Sequence, residues 1–176
     1  MYQLPSKKKA KKLNVQLLSS GSIMGEVLEA AAILEKDYKV SSDIWSVTSF
    51  NELGRDVQSV QRWNMLHPDE KPKQSYVQQS LAKQKGPVIS ATDYMKAHSE
   101  QIRSDIDVPY IVLGTDGFGR SDSRENLRSH FEVDRYYVVY AALVGLVESG
   151  DLDKSVLSKA LKELAIDPEK VDPIKL

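Results

Sequence analysis

The order of β-rich and helical patterns predicts an α/β fold, a three-layer α/β/α sandwich around a mostly parallel sheet. A β-rich run at residues 15–18 is followed by a helical pattern and then by a second β-rich run at residues 44–50. Two further short apolar runs, residues 88–91 and 110–113, have the length of buried strands. Helical spacing between these runs predicts that helices cover the faces of the sheet.

The composition is typical of one globular domain, with 176 residues of which 41% are hydrophobic and 28% are charged. The chain has no cysteine, which excludes disulfides, a thiolate metal site and a cysteine nucleophile. Its 24 Lys and Arg nearly balance its 25 Asp and Glu, so we expect no nucleic-acid partner. The longest apolar run, residues 136–147, is shorter than the about 20 residues of a membrane helix. We therefore expect a cytoplasmic protein with no membrane partner.

The opening of the chain, residues 1–13, is Lys-rich and has no periodicity, and it is predicted to be a linker before a domain at residues 14–176. Such a segment can also be an arm that binds nucleic acid or an acidic partner. We favour the solvated linker. Its lysines lead into a strand and not into the apolar core of a secretory signal.

The first helix is predicted to start near Ser22, which is a good N-cap residue. Glu26 near its start and Lys36 near its end are placed as the helix dipole prefers. The apolar residues of this helix recur at helical spacing and define the face that it buries. They are Val27, Ala31, Leu34 and Tyr38.

The region between the second and third predicted strands is helical, with two helices separated by a break. The first of these helices ends at His67-Pro68, because the residue before a proline is driven out of helical conformation. The second runs near residues 76–83. Trp45 and Trp63 are both predicted to lie in the core.

The final third of the chain is also helical, and its helix starts are marked by capping residues. Asp122 or Ser123 is predicted to cap a short helix, and Asp134 to cap an apolar helix over residues 135–149. A helix that is apolar nearly all round belongs inside a protein, so this helix is predicted to be buried. Asp153 begins the last clear helix.

The least ordinary stretch is residues 114–125, Gly-Thr-Asp-Gly-Phe-Gly-Arg-Ser-Asp-Ser-Arg-Glu, with three glycines in its first six residues. Glycines at this density indicate a backbone path that side chains would obstruct. Gly117-Phe118-Gly119 is similar to part of a dinucleotide-binding fingerprint, but Asp122 stands where the third glycine is required. A dinucleotide site is therefore not predicted.

Other catalytic and metal patterns are also missing from the sequence. Asp116-Gly117 is similar to the metal motif of thiamine-diphosphate enzymes, but Thr115 precedes it and no asparagine follows Asn126. Ser22 has the spacing of neither a nucleophile elbow nor a phosphate loop. The histidines form no metal-binding pair; they are His67, His98 and His130. We therefore predict no catalytic, cofactor-binding or metal-binding residue in this chain.

Four segments carry a resemblance to a known family. Together they resemble the C-terminal domain of the homodimeric bacterial pyruvate dehydrogenases, which decarboxylate pyruvate as the first component of a multienzyme complex. The Gly-rich stretch with the residues after it is the most specific of the four. The segments are Ser-Asp-Ile-Trp-Ser-Val-Thr-Ser-Phe at 42–50, Arg-Trp-Asn-Met-Leu-His-Pro at 62–68, Ala-Thr-Asp-Tyr-Met-Lys at 91–96, and residues 113–128 continuing into His-Phe-Glu-Val-Asp at 130–134.

The resemblance implies a transketolase-like C-terminal domain that follows a pyrophosphate domain and a pyrimidine domain. The family uses thiamine diphosphate and Mg²⁺ on pyruvate, on the route from glycolysis to acetyl-CoA, and acetylates the lipoyl group of dihydrolipoyl acetyltransferase. Its cofactor and catalytic residues lie in the two earlier domains, so the chain alone is expected to be inactive and to bind no cofactor. The family also implies a five-stranded sheet with one antiparallel strand, and the short fifth strand is predicted near residues 40–45 or beyond residue 114.

The leading hypothesis is therefore a structural and assembly domain of such an oxidoreductase. Its partners would be the remaining domains of the same enzyme, the partner subunit of the homodimer and the acetyltransferase. The Gly-rich segment is the candidate interface, because it combines charges, an aromatic residue and glycines that allow close approach. Its residues are Thr115, Asp116, Gly117, Phe118, Gly119, Arg120, Ser121, Asp122 and Arg124.

Two alternatives remain open at this stage. One is a regulatory module that binds a small anion in a crevice between residues 20–21 and 114–119, beyond the carboxyl ends of the strands. The other is a freestanding α/β enzyme, which the missing pairing of a nucleophile with a base disfavours. The interface hypothesis also has a simpler counterpart, a turn that closes the sheet and leaves its charges in solvent.

Overall fold

The protein forms one mixed sheet with helices on both faces, as the sequence predicts. A computed structural model describes residues 1–5 and 12–176. The strands lie in the order β1-β3-β2-β4-β5, in which β1 is antiparallel to β3 and the other neighbours are parallel. Their bounds are β1 Tyr2–Gln3, β2 Asn14–Ser19, β3 Ser41–Ser46, β4 Val88–Ala91 and β5 Tyr110–Leu113.

The helices divide between the two faces of the sheet. Against one face pack α1 Met24–Asp37 and α6 Arg135–Glu148, and α7 Ser155–Glu163 packs on α6. The core of these three helices includes Leu34, Leu143 and Ala160. Against the other face lie α2 Phe50–Leu66 and α3 Tyr76–Leu81, whose core includes Val57 and Val77. Two shorter helices, α4 Lys96–Glu100 and α5 Arg124–His130, follow β4 and β5.

Successive side chains of the central strands point alternately into the two cores. Leu17 and Ile89 point to the core of α1, α6 and α7, whereas Leu18 and Val88 belong to the core of α2 and α3. All four are at most 1% exposed. Successive side chains of a strand point to opposite faces, and here both faces are buried. The central strands therefore do not alternate between apolar and polar residues.

The strand predictions fail in two places, both on the β1 and β3 side of the sheet. β3 ends at Ser46 and not at Phe50, because the hydroxyl of Ser49 accepts a hydrogen bond from the Glu52 amide at 3.2 Å and caps α2. The fifth strand is β1, where Tyr2 pairs with Ser46, and not a segment near residues 40–45 or beyond residue 114. Two residues that pair only at a sheet edge carry no periodic signal.

The N-terminal prediction is only partly covered by the structure. β1 lies within residues 1–13, which were predicted as a linker, and the main-chain amide of Leu4 continues the pairing by donating to Ile44 at 2.8 Å. The Lys-rich residues 6–11 of that prediction lie outside the described residues. Among the described residues, no helix has both the length and the apolar character needed to cross a membrane.

The parallel register brings the loops after β2, β3, β4 and β5 to one edge of the sheet. Ser19 lies beside both Ser46 and Ala91, and Ala91 lies beside Leu113. We call this the carboxyl edge. It carries the crevice residues and the Gly-rich segment that the sequence singled out.

Candidate functional site

The first part of the Gly-rich segment is fastened to the loop between β4 and α4. The amide of Thr115 donates to the Tyr94 carbonyl at 2.9 Å, and its hydroxyl donates to the Asp93 carbonyl at 2.8 Å. Asp116 accepts from the Lys96 amide at 3.1 Å, and its second oxygen lies 4.0 Å from the Lys96 ammonium. Thr115 and Asp116 therefore hold two strand-end loops together.

The middle of the segment is covered by the short 3₁₀ turn Pro173–Lys175. Gly117 has φ +109°, and a Cβ there would lie 2.6 Å from the Pro173 carbonyl oxygen, so both conformation and space require glycine. Arg120 donates through Nη2 to the main-chain oxygen of Leu176 at 2.7 Å. The C-terminal turn thus supports one side of the segment.

The last part of the segment starts α5. Ser123 is the N-cap residue, and its hydroxyl accepts from the Asn126 amide at 3.2 Å. Asp122 accepts from the Asn126 side chain at 2.8 Å and from the Ser123 amide at 2.6 Å. These two hydrogen bonds lower the pKa of the Asp122 carboxyl, the Asn126 bond more than the amide bond. Of the two predicted caps, Ser123 is the one the structure shows.

The remaining side chains of the segment face solvent. Phe118 is 78% exposed, the largest exposed fraction among the large hydrophobic residues described. Gly119, Arg120, Ser121 and Arg124 are exposed beside it. The nine candidate interface residues therefore separate into two sets. The supporting set is Thr115, Asp116, Gly117 and Asp122, and the outward set is Phe118, Gly119, Arg120, Ser121 and Arg124.

A cavity of about 450 Å³ lies between the segment, α5 and the start of α1. Three arginines line it, Arg120, Arg124 and Arg128, above an apolar floor that includes Leu127 and Phe131. Arg128 is already paired, since its guanidinium donates to Glu26 at 2.8 Å and to the Ser22 carbonyl at 3.2 Å. The Glu26 carboxylate therefore neutralises part of the positive charge that lines the cavity.

The crevice between the ends of β2 and β4 holds a carboxylate of the protein. Asp93 Oδ2 accepts from the Ser22 amide at 3.1 Å, and a Cβ on Gly21 would lie 2.5 Å from Asp93 Oδ1. Ser20 and Thr92 close the floor with a hydroxyl–hydroxyl hydrogen bond of 2.7 Å. A small anion at this amide would meet the Asp93 charge. The anion-binding crevice between residues 20–21 and 114–119 stays a prediction, since the arginine-lined cavity lies on the same side. The prediction of Ser22 as N-cap is wrong, because Ser22 lies inside the 3₁₀ turn Gly21–Ile23.

The histidines take part in packing contacts and hydrogen bonds. His67 stacks on Trp63 with ring centroids 4.3 Å apart, and its Nδ1 lies 2.8 Å from the Trp63 carbonyl oxygen. His98 Nδ1 lies 3.1 Å from Asn51 Oδ1, and His130 packs edge-on to Phe131. In the described part of the chain, no three His, Asp or Glu residues are grouped as metal ligands.

The prediction that Trp63 lies in the core is wrong. Trp45 is buried at 5% exposure, but Trp63 is only half-buried. The Trp63 ring stacks on His67, and the Lys73 ammonium lies 3.8 Å from the centroid of the Trp63 ring. A tryptophan has the same apolar signal in the sequence whether it is buried, as in β3, or half-buried, as in α2. The partners that distinguish them come from the loop after α2.

Sequence reasoning gave Glu26 only a helix-dipole role and missed its ion pairs. Glu26 is 5% exposed and accepts from Arg128 Nη1 at 2.8 Å, from Arg135 Nε at 2.9 Å and from the Arg135 amide at 3.0 Å. One carboxylate thus joins α1 to α5 and α6. The available signal was its spacing of four from buried Ala30, which places it on the inner side of α1.

The fold and this edge define a class of protein: an α/β domain whose strand-end loops are fastened to each other by structural hydrogen bonds. Within that class the family is clear. The model of the "Transketolase-like TK C-terminal domain" matches residues 1–134, more than half of the chain, so the chain belongs to this family. The family resemblance stated from the sequence is confirmed.

Two named bacterial proteins are identical to this chain at more than half of the aligned residues. The chain is 54% identical over 175 residues to the "Pyruvate dehydrogenase E1 component" of Pseudomonas aeruginosa, which covers 99% of this chain and 20% of that protein. It is 56% identical over 160 residues to the protein of the same name from Escherichia coli, covering 90% of this chain and 18% of that protein. The chain thus spans about a fifth of the length of these relatives.

Solved structures share the fold at low identity. A "Split gene transketolase, inactive beta4 tetramer" aligns with TM-score 0.57 and 14% identity, over 79% of this chain and 41% of that one. "Transketolase from Leishmania mexicana" aligns with TM-score 0.51 and 17% identity, over 82% of this chain and 18% of that one. These likenesses confirm the sheet architecture.

Proposed function

We propose that this chain is the structural and assembly domain of a longer, cytoplasmic, homodimeric pyruvate dehydrogenase of the acetyl-transferring type. The remaining domains would bind thiamine diphosphate and Mg²⁺, decarboxylate pyruvate and acetylate the lipoyl group of dihydrolipoyl acetyltransferase. The observation that carries this is the match of nearly the whole chain to about a fifth of proteins named pyruvate dehydrogenase E1 component. The chain itself would supply contacts and no reacting group.

The described residues do not fit the implied Mg²⁺ and thiamine diphosphate. Asp116, the residue most similar to a metal-binding aspartate, is held by the Lys96 amide and faces the Lys96 ammonium. A cation at this carboxylate would have to displace that ammonium, and one aspartate leaves most of six octahedral positions without protein oxygen. The cofactor site is therefore assigned to the rest of the proposed enzyme.

We expect that the 176-residue chain alone shows no heat of binding when thiamine diphosphate and Mg²⁺ are titrated into it. Isothermal titration calorimetry measures this directly. A micromolar dissociation constant, about −8 kcal/mol, would contradict the assignment of the cofactor to other domains. Pyruvate decarboxylation by the isolated chain would contradict it as well.

The interface in this proposal is the outward set of the Gly-rich segment. Phe118 offers an exposed aromatic surface, and Arg120 and Arg124 are exposed residues close to it in the chain. Arg120 uses Nη2 on the Leu176 oxygen, which leaves its other N–H groups for a partner. Aromatic residues and arginine are enriched at protein interfaces, and arginine forms bidentate pairs with carboxylates. The supporting set fastens both ends of the loop that presents these side chains.

A complementation experiment tests this interface. The Pseudomonas aeruginosa relative, made without the region that matches this chain, is mixed with the tagged 176-residue chain, and association is measured by co-purification and affinity. We expect Phe118→Ser to weaken association by about tenfold or more, as loss of an anchor residue does. Arg120→Ala should weaken it too, while the melting temperature of the chain changes by no more than about 4 °C.

The matched control is Met65→Ser. Met65 is 72% exposed, similar to Phe118, but it lies near the end of α2, away from the carboxyl edge where α2 begins. We expect this variant to associate like the wild type. Equal weakening by Met65→Ser and Phe118→Ser would contradict the assignment of the interface to the Gly-rich segment. Melting of the chain by Arg120→Ala with association intact would make Arg120 a residue of the fold.

A further inference from the structure

The cavity beside α5 combines a positively charged lining with an apolar floor. Its volume, about 450 Å³, is within the range of small-molecule sites. One face of α5 and its C-cap residue supply four of the lining residues, which recur at the spacing of a single helix face. They are Arg124, Leu127, Arg128 and Phe131. The apolar floor continues into Ile23 and Val133, each 1% exposed.

Two of the three guanidinium groups in this lining are held by the fold, and the third is free. The Arg128 guanidinium donates to Glu26 at 2.8 Å, and Arg120 Nη2 donates to the main-chain oxygen of Leu176 at 2.7 Å. Arg124 is exposed and has no hydrogen-bond or ion-pair partner among the described residues. Arg124 and Arg128 are four residues apart on α5, so their like charges repel each other. An anion bound between them would remove part of this repulsion.

The carboxylates near this lining determine which anionic charge fits the cavity. Asp93 is itself a lining residue, and Glu26 neutralises part of the charge of Arg128. The remaining positive charge matches a singly charged anion better than a doubly charged phosphate. A carboxylate also fits the planar fork of a guanidinium group, which donates two parallel N–H bonds to it.

The apolar floor determines what the anionic group is attached to. A compact anion such as acetate would leave Leu127 and Phe131 uncovered, although both line the cavity and are only half-buried. Methylene groups attached to the carboxylate would cover these side chains and remove apolar surface from water. The Ser22 hydroxyl, which has no hydrogen-bond partner among the described residues, adds a further donor to the lining.

We propose that this cavity binds a monocarboxylate on an apolar stem. The carboxylate accepts hydrogen bonds from Arg124 and from the unused N–H groups of Arg120, and the stem packs on Leu127 and Phe131. This chemistry is shared by a free aliphatic acid and by an acidic side chain of another protein segment. The inference gives the anion-binding alternative a set of side chains and a ligand class. It does not rest on the proposed assembly role, because binding to the chain is measured without a partner.

Amide chemical shifts of the 176-residue chain test the proposal. Hexanoate at pH 7 should shift the amides of Gly117, Gly119 and residues 124–131, with a dissociation constant of about 1 mM. Affinity should rise from acetate to butyrate to hexanoate, because each longer stem covers more of the floor. Equal shifts with hexan-1-ol would show an apolar cleft only, and equal affinity for acetate and hexanoate would show attraction of charge only. Either result, or no shift with hexanoate at tenfold higher concentration, would overturn the proposal.

Substitutions at Arg124 locate the binding site. Arg124→Gln should weaken hexanoate binding about tenfold, as loss of a hydrogen bond between charged groups does. Arg124→Glu should abolish binding and still fold, because the helix dipole favours an acidic residue in the first turn of α5. Arg62→Gln is the matched control, an exposed arginine of α2 on the other face of the sheet, and should bind hexanoate like the wild type. Wild-type affinity of Arg124→Glu would contradict the assignment of the carboxylate to this cavity.

The two sources of the carboxylate are separated in the complementation assay. Saturating hexanoate is added to the mixture of the truncated relative and the tagged chain. Weaker association identifies the carboxylate as an acidic side chain of a neighbouring domain, because the free acid then competes with it for the cavity. Unchanged association identifies a free aliphatic acid as the ligand. Absence of association without hexanoate would contradict the assembly role alone, since hexanoate binding is measured on the chain by itself.

Discussion

Glu26→Ala is expected to lower the free energy of unfolding by about 3–5 kcal/mol, as removal of one member of a buried ion pair does. The Glu26 side chain is 7% exposed, whereas those of Arg128 and Arg135 are 22% and 36% exposed. Without Glu26, both guanidinium groups lose their carboxylate while they remain partly buried between α1, α5 and α6. Chemical denaturation of variant and wild type measures the difference.

Glu29→Ala is the matched control on the same helix. Glu29 is 59% exposed and lies 3.6 Å from Arg135 Nη1, so its loss should cost less than about 1 kcal/mol. Similar losses for the two variants would contradict the view that burial makes Glu26 important.

The contribution of Glu26 should depend on pH in a defined direction. Burial alone would raise the pKa of its carboxyl, but the hydrogen bonds and charges of Arg135, with the charge of Arg128, outweigh burial and lower it. A carboxyl whose pKa is lowered by folding stabilises the fold above its unfolded pKa, about 4.3, and loses this contribution as pH falls through the folded value. The difference between wild type and Glu26→Ala should therefore shrink below about pH 4.

Leu143→Ala is expected to lower the free energy of unfolding by about 2–5 kcal/mol. Leu143 is 0% exposed in α6, which packs on α1 and on the sheet, so truncation leaves a cavity that the neighbours fill only in part. The control is Leu28→Ala on α1, where the leucine is 46% exposed and the loss should stay below about 1 kcal/mol. An unchanged denaturation midpoint for Leu143→Ala would show that α6 is peripheral.

Elements whose signal is local in the chain are predictable from the sequence. β4 and β5 lie at their predicted bounds, because a short apolar run is sufficient to mark a strand. The prediction that β5 is buried on both faces is only partly right, since this edge strand alternates between buried and half-buried residues. Asp134 caps α6 as predicted, accepting from the Tyr136 amide at 2.9 Å, because the capping residue and the helix are adjacent in the chain. The Gly-rich segment was also identified from its composition, and the need for glycine at residue 117 is confirmed.

Contacts between residues that are distant in the chain are not predictable in this way and depend on the folded structure. β1 pairs with β3 across more than 40 residues, and Glu26 meets Arg135 across 109. Asp93 reaches the Ser22 amide across 71 residues and places a negative charge beside the crevice in which the sequence left an anion possible. An acidic residue has the same local pattern whether it faces solvent or a partner, and only the packing of the layers determines which groups approach it closely enough to bind.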